Sequence, residues 1–200
     1  MGMPAALRPR HTGWTAELVR QLPDDGNRYE VVDGELLVSP TPSQYHQRAV
    51  LLLWRLLEDF LRTHEIGVAF ASPSDVEFAP SRMVQPDVYC VPLVNGRIRK
   101  QIGPADGLLL AAEVLSSSTA RFDRHTKRHL YQLERVPEYW IVDVNARLIE
   151  RWRPDDERPQ ICDEFLEWRV AGHAPTLTID LAAYFRGVFE IFEHTSEPDE

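Results

Sequence analysis

Leu108-Leu109-Leu110-Ala111-Ala112-Glu113-Val114-Leu115 is the stretch that decides the fold. It is apolar almost throughout, and a short unbroken apolar run predicts a strand covered on both faces. Ser116-Ser117-Ser118-Thr119 follows at once. Hydroxyls there suit the start of a helix, which should run to about Val136. Beyond it, Tyr139-Trp140-Ile141-Val142-Asp143 and Leu148-Ile149-Glu150-Arg151-Trp152 predict a strand pair joined at Val144 to Arg147. Upstream, Val84 to Val91 predicts another strand. So does Val68 to Phe78, in which Val76 and Phe78 alternate with Asp75 and Glu77. Asn95-Gly96 and Gly103-Pro104 punctuate the loop before Leu108.

Working outward, Tyr29-Glu30-Val31-Val32 and Glu35-Leu36-Leu37-Val38 flank Asp33-Gly34, a dipeptide suited to a type I′ hairpin turn. A helix comes next, with Thr41 as N-cap, Pro42 in the first turn and Gln44 closing a capping box. Val50, Leu53, Trp54, Leu57 and Leu61 recur at helical spacing, so one face packs on a core and the helix reaches about His64. Phe165 to Val170 predicts an edge strand and Leu181 to Phe192 a short closing helix. This order predicts an α/β fold: a mixed β-sheet flanked by helices, with an N-terminal β-hairpin. One domain is expected over residues 1–200, with 1–12 and 193–200 as frayed termini.

The composition bounds the function. Charged residues make up 26% of the chain and hydrophobic ones 44%, as in globular proteins. A formal charge of -9 argues against broad electrostatic attachment to nucleic acid, so a polyanionic substrate would need a local basic patch or a bound cation. Arg121, Arg124, Lys127, Arg128 and Arg135, with Arg97, Arg99 and Lys100, offer such a patch. Cys90 and Cys162 form no CxxC pair, which excludes a zinc-ribbon or disulfide framework. With neither a signal peptide nor a long apolar span, the expected location is cytoplasmic, without membrane contact.

The chemical signal is an acid where an acid is costly. Glu113 ends an apolar run in a central strand, and a buried carboxylate must be protonated, paired or metal-bound. Asp87 sits among apolar neighbours in Val84-Gln85-Pro86-Asp87-Val88. Two such acids on neighbouring strands could share a hard cation, Mg²⁺ or Mn²⁺. The plainer alternative is a pair of salt-bridged or half-exposed strand acids. Asp123, Lys127 and Tyr131 fall at spacings of four on one helical face, either as a solvated ion pair or with Lys127 aimed at the acids. His46, on the packed face of the first long helix, is a core-edge histidine or an auxiliary site residue. Glu30 is a third carboxylate near the site or an edge-strand residue.

These residues resemble the Uma2 family of the PD-(D/E)XK restriction-endonuclease-like superfamily. The resemblance rests on Tyr-Glu-Val-Val-Asp-Gly-Glu-Leu (29–36), Gln-Pro-Asp (85–87), Glu-Val-Leu-Ser-Ser-Ser-Thr (113–119), Asp-x3-Lys-x3-Tyr (123–131) and Val-Pro-Glu-Tyr-Trp-Ile-Val-Asp (136–143). It implies a restriction-endonuclease-like core and metal-dependent cleavage of nucleic acid, in which Asp87 and Glu113 hold the cation. Leu115 stands where the superfamily carries its lysine, and Lys127 matches the position to which this family moves it. Arg135 stands where the family usually has glycine. The expected activity is endonucleolytic hydrolysis of phosphodiester bonds in DNA. The alternatives are a catalytically inactive binding or assembly module of the same fold, and a phosphoesterase acting on a small substrate. Exposed sheet edges allow a homodimer.

Overall fold

The computed structural model describes residues 13–98 and 107–189. In chain order the elements are α1 (Ala16–Val19), β1 (Arg28–Val32), β2 (Glu35–Ser39), α2 (Gln44–Thr63), β3 (Gly67–Ala71), β4 (Val76–Ala79), β5 (Arg82–Val84) and β6 (Val88–Pro92). Then come β7 (Leu110–Val114), a wide π-helical turn (Phe122–Lys127) running into α3 (Arg128–Leu133), β8 (Tyr139–Asp143), β9 (Leu148–Trp152), β10 (Gln160–Cys162), β11 (Phe165–Trp168), β12 (Leu177–Asp180) and α4 (Leu181–Phe189). The expected frayed termini, together with Arg99, Lys100 and Phe192, lie outside the described residues.

The apolar run around Glu113 becomes β7, with every residue buried. It lies inside a six-stranded sheet of order β10-β9-β8-β7-β6-β3. β7 runs antiparallel to β6 and parallel to β8, so the sheet is mixed. Strand periodicity divides its side chains between two cores. Leu110, Ala112 and Val114 join the core under α2 and α4. Ala111 faces the other way, with Leu130 and Tyr131 of α3 and Tyr139 and Ile141 of β8. Glu113 shares the face of Ala111, and that parity turns its carboxylate toward α3. Each large apolar side chain fully buried in these layers contributes about 1.5–3 kcal/mol.

The hairpin forms as its sequence indicates. Val31 pairs with Leu36 across a turn in which Asp33 and Gly34 both have positive φ, 50° and 80°. Its four-stranded sheet has the order β2-β1-β5-β4.

Some boundaries differ from expectation. The single strand over Val68 to Phe78 is two strands in different sheets, β3 paired with β6 and β4 paired with β5. Pro73 lies between them and has no N–H to continue a ladder. The strand over Val84 to Val91 divides likewise at Gln85-Pro86-Asp87, where the chain leaves the small sheet and enters the large one. Asp87 therefore stands at the joint between the sheets. Ser43, not Thr41, caps α2: its extended backbone lets the hydroxyl accept from His46 N at 3.3 Å, while Thr41 Oγ1 donates to Gly26 O at 3.2 Å. The Phe165–Val170 segment does not edge the large sheet; as β11 it forms a separate ribbon with β12, and β10 takes the edge.

Candidate active site

Asp87 immediately precedes β6, and its two oxygens are held by different elements. Oδ1 accepts from Arg28 Nη1 of β1 at 2.7 Å. Oδ2 accepts from Val114 N of β7 at 2.9 Å and lies 3.1 Å from His46 Nε2 of α2. Burial pushes this carboxyl up, but the His46 hydrogen bond and the Arg28 charge more than offset it and hold it well below the usual carboxylate range. Asp87 is therefore an ionised carboxylate anchored from three sides.

Lys127 lies in the last position of the π-helical turn and is buried. Its Nζ lies 2.9 Å from Glu113 Oε1, 2.9 Å from Glu30 Oε1 and 3.7 Å from Asp123 Oδ1. Burial acts to lower this ammonium's pKa, yet the charges of Glu113, Glu30 and Asp123 outweigh it and raise it. Tyr131 adds a hydroxyl donated to the same Glu113 Oε1 at 3.2 Å. Asp123, Lys127 and Tyr131 thus face the buried acids, and the solvated ion pair is not what forms. Burial drives Glu113 well above the ordinary carboxylate range, countered only in part by Lys127.

Glu30 is fully buried, so the edge-strand alternative does not describe it. Its Oε1 also accepts from Gln85 N at 2.7 Å, tying the hairpin to the segment that carries Asp87. His46 meets the site at the start of α2, with Nδ1 buried and unpartnered. Glu30 Oε2 and Asp123 Oδ1 are likewise buried without a hydrogen-bond donor.

Sequence reasoning missed Arg28. Its signal was strand parity: Arg28 and Glu30 are two apart on β1 and so share a face. Spacing alone makes Asp123 a helix-face neighbour, yet burial pushes its carboxyl up to about 6, against the Lys127 charge and a Thr119 hydrogen bond. Native Asp123 thus keeps a proton that the unfolded chain has released between its ordinary 3.8 and about 6, so stability falls as pH rises through that window. Asp123→Asn, which mimics the protonated group, is expected to gain about 1–3 kcal/mol over the parent at neutral pH. It should gain nothing at acid pH. Urea unfolding across that window checks this, and a gap that does not change with pH refutes it.

Asp87, Arg28 and His46 line an open cleft of about 480 Å³ between the hairpin base and the start of α2. Glu113 and Lys127 are not in its lining.

Part of the anticipated basic patch is engaged within the protein. Arg124 bonds Glu150 at 2.7 Å and Asp143 at 3.0 Å, Arg135 pairs with Asp155, and Arg128 sits over the Trp152 ring. Arg135, where the family usually has glycine, adopts a φ of 57°, the left-handed conformation that glycine takes without strain.

A mixed sheet with Glu113 on β7, Asp87 at the head of the neighbouring β6 and a lysine reaching Glu113 from the flanking helical segment is a nuclease-like α/β fold. The chain belongs to the Uma2 family, described as "Uma2: Putative restriction endonuclease", whose profile matches residues 16–182. A crystal structure described as a putative nuclease belonging to DUF820, from Anabaena variabilis, superposes with a TM-score of 0.68 at 18% identity, covering 87% of this chain and 98% of that one. No curated protein matches the chain. No helix among the described residues is long and apolar enough to cross a membrane.

Proposed function

We propose that this chain is a divalent-metal-dependent endonuclease that hydrolyses phosphodiester bonds in DNA. In this reading Asp87 and Glu113 are the metal ligands, and Lys127 is the cation beside the reacting phosphate. The observation that carries it is Lys127 Nζ, 2.9 Å from Glu113 in a buried cluster whose acids outnumber its cations. Buried carboxylate oxygens without donors, Glu30 Oε2 and Asp123 Oδ1, are what a region built for added positive charge contains. The donors are hard oxygens, which suit Mg²⁺ or Mn²⁺.

When bound, the ion supplies charge neutralisation at phosphate and a more acidic water. The remaining work falls to side chains. Arg28 and His46 keep Asp87 anionic and fixed. Lys127 holds Glu113 Oε1, and its ammonium would offset charge that develops on a phosphate bound beside Glu113. Glu30 and Asp123 keep that ammonium charged.

The second reading, a binding or assembly module without turnover, draws on one observation. Among the described residues, no group of three or more His, Cys, Asp or Glu side chains is placed to hold a metal ion. Magnesium sites built from one or two carboxylates and completed by substrate phosphate also lack such a group.

Mn²⁺ calorimetry on the parent, Asp87→Ala and Glu113→Ala separates the readings. Binding in the parent that is lost in both variants, with circular dichroism unchanged, is the expected result. Binding that survives in both variants would remove these acids from the metal site.

A further inference from the structure

We propose that the cleft beside Asp87 takes a single unpaired nucleotide of a DNA strand, its phosphate on the unused donors of Arg28. The inference rests on the nuclease reading and names the form of its substrate. All three Arg28 hydrogen bonds, to Ser72 Oγ, Gln85 O and Asp87 Oδ1, leave from Nη1. Nε and Nη2 make none of them, and Arg28 forms part of the cleft lining. A guanidinium with free N–H groups beside an ionised carboxylate is a phosphate contact set next to a metal ligand.

Size and lining favour one nucleotide over a duplex. About 480 Å³ lies within the range of small-ligand sites, at roughly 300–1,000 Å³. Leu22, Tyr29 and Pro42 are among its lining residues and bring apolar and aromatic surface, the kind on which an unstacked base rests.

Charge argues the same way. The lining holds Arg20 and Arg28 against Asp24, Asp75 and Asp87, and Arg20 is already paired with Asp75 at 3.4 Å and Glu77 at 2.6 Å. Arg124 and Arg135 are also engaged with carboxylates, which leaves fewer cations to follow two phosphate backbones. Affinity must come from a few contacts in a cleft.

The test is fluorescence anisotropy with Mn²⁺, comparing a labelled single-stranded oligodeoxynucleotide with the same sequence closed as a hairpin duplex. Cleavage of both is read in parallel. Single strands should bind about tenfold or more tightly than duplex, with a salt slope near that of one or two phosphates, about -0.7 for each. Arg28→Gln should weaken oligonucleotide binding about tenfold, by more than any change in Mn²⁺ affinity read by calorimetry, and Arg28→Lys, which keeps a cation on Asp87, should fall between.

Equal or tighter duplex binding, or a slope of many phosphates, overturns the proposal. So does an Arg28→Gln variant that loses Mn²⁺ but keeps oligonucleotide affinity, since Arg28 would then act only on Asp87. Single strands bound but left uncut would support the nucleotide site and refute the nuclease reading. Mn²⁺ bound without any oligonucleotide would refute the nucleotide site and leave the metal site standing.

Discussion

Replacing Lys127 with methionine is expected to lower unfolding stability by about 3–5 kcal/mol and to abolish cleavage. The ammonium is the shared partner of Glu113, Glu30 and Asp123, and all four side chains are buried. Methionine fills similar volume, so packing is largely kept and the loss is electrostatic. Three buried acids would then have to take up protons or repel one another. The cost should therefore shrink at acid pH, where protonation is easier. Adding Glu113→Gln to Lys127→Met removes one of the stranded charges and should recover about 1–2 kcal/mol, a coupling that a double-mutant cycle in urea measures. A Lys127→Met protein within 1 kcal/mol of the parent, on the order of a surface change, would mean that Lys127 is not the counter-ion of this cluster.

How much of this was legible beforehand depends on whether a feature is local. The hairpin and the β8–β9 pair follow from alternation and turn chemistry within a few residues, and they form where the sequence places them. The burial of Glu113 was legible from a run of apolar neighbours. The division of the Val68–Phe78 and Val84–Val91 segments was not, because a change of sheet leaves side-chain alternation intact and is marked only by Pro73 and Pro86.

The site shows the same limit. Asp123, Lys127 and Tyr131 share a face by spacing, but the face's burial depends on β8 and the hairpin, which pack over it from distant sequence. Arg28 gave a parity signal only, and its partner Asp87 is far along the chain. The basic patch is reduced for the converse reason: Arg124, Arg128 and Arg135 cluster in sequence, but Glu150, Trp152 and Asp155 are placed against them only when the chain folds.

The two central acids should answer differently to the same isosteric change. Asp87→Asn puts an NH₂ where only acceptors fit, because Arg28, His46 and Val114 N all converge on the carboxylate. One donor must then face another, and about 3 kcal/mol or more is lost. Its pH signature follows from the lowered carboxyl: the parent's advantage is full above the ordinary 3.8 and fades as pH falls through the native value. Glu113→Gln has the opposite sign. Both bonds to Glu113 fall on Oε1, a position that an amide carbonyl can take. Since burial holds Glu113 above its ordinary range, the neutral isostere removes a cost that grows as pH rises. Glu113→Gln should therefore equal or exceed the parent in stability at neutral pH. Cleavage should nevertheless fall in both variants on the order of a thousandfold, since each loses a charged ligand worth several kcal/mol of barrier. Thermal melts and a Mn²⁺ cleavage assay on the two variants decide it. If Glu113→Gln were as unstable as Asp87→Asn, Glu113 would be a structural ion-pair partner, not an acid held in place at the expense of stability.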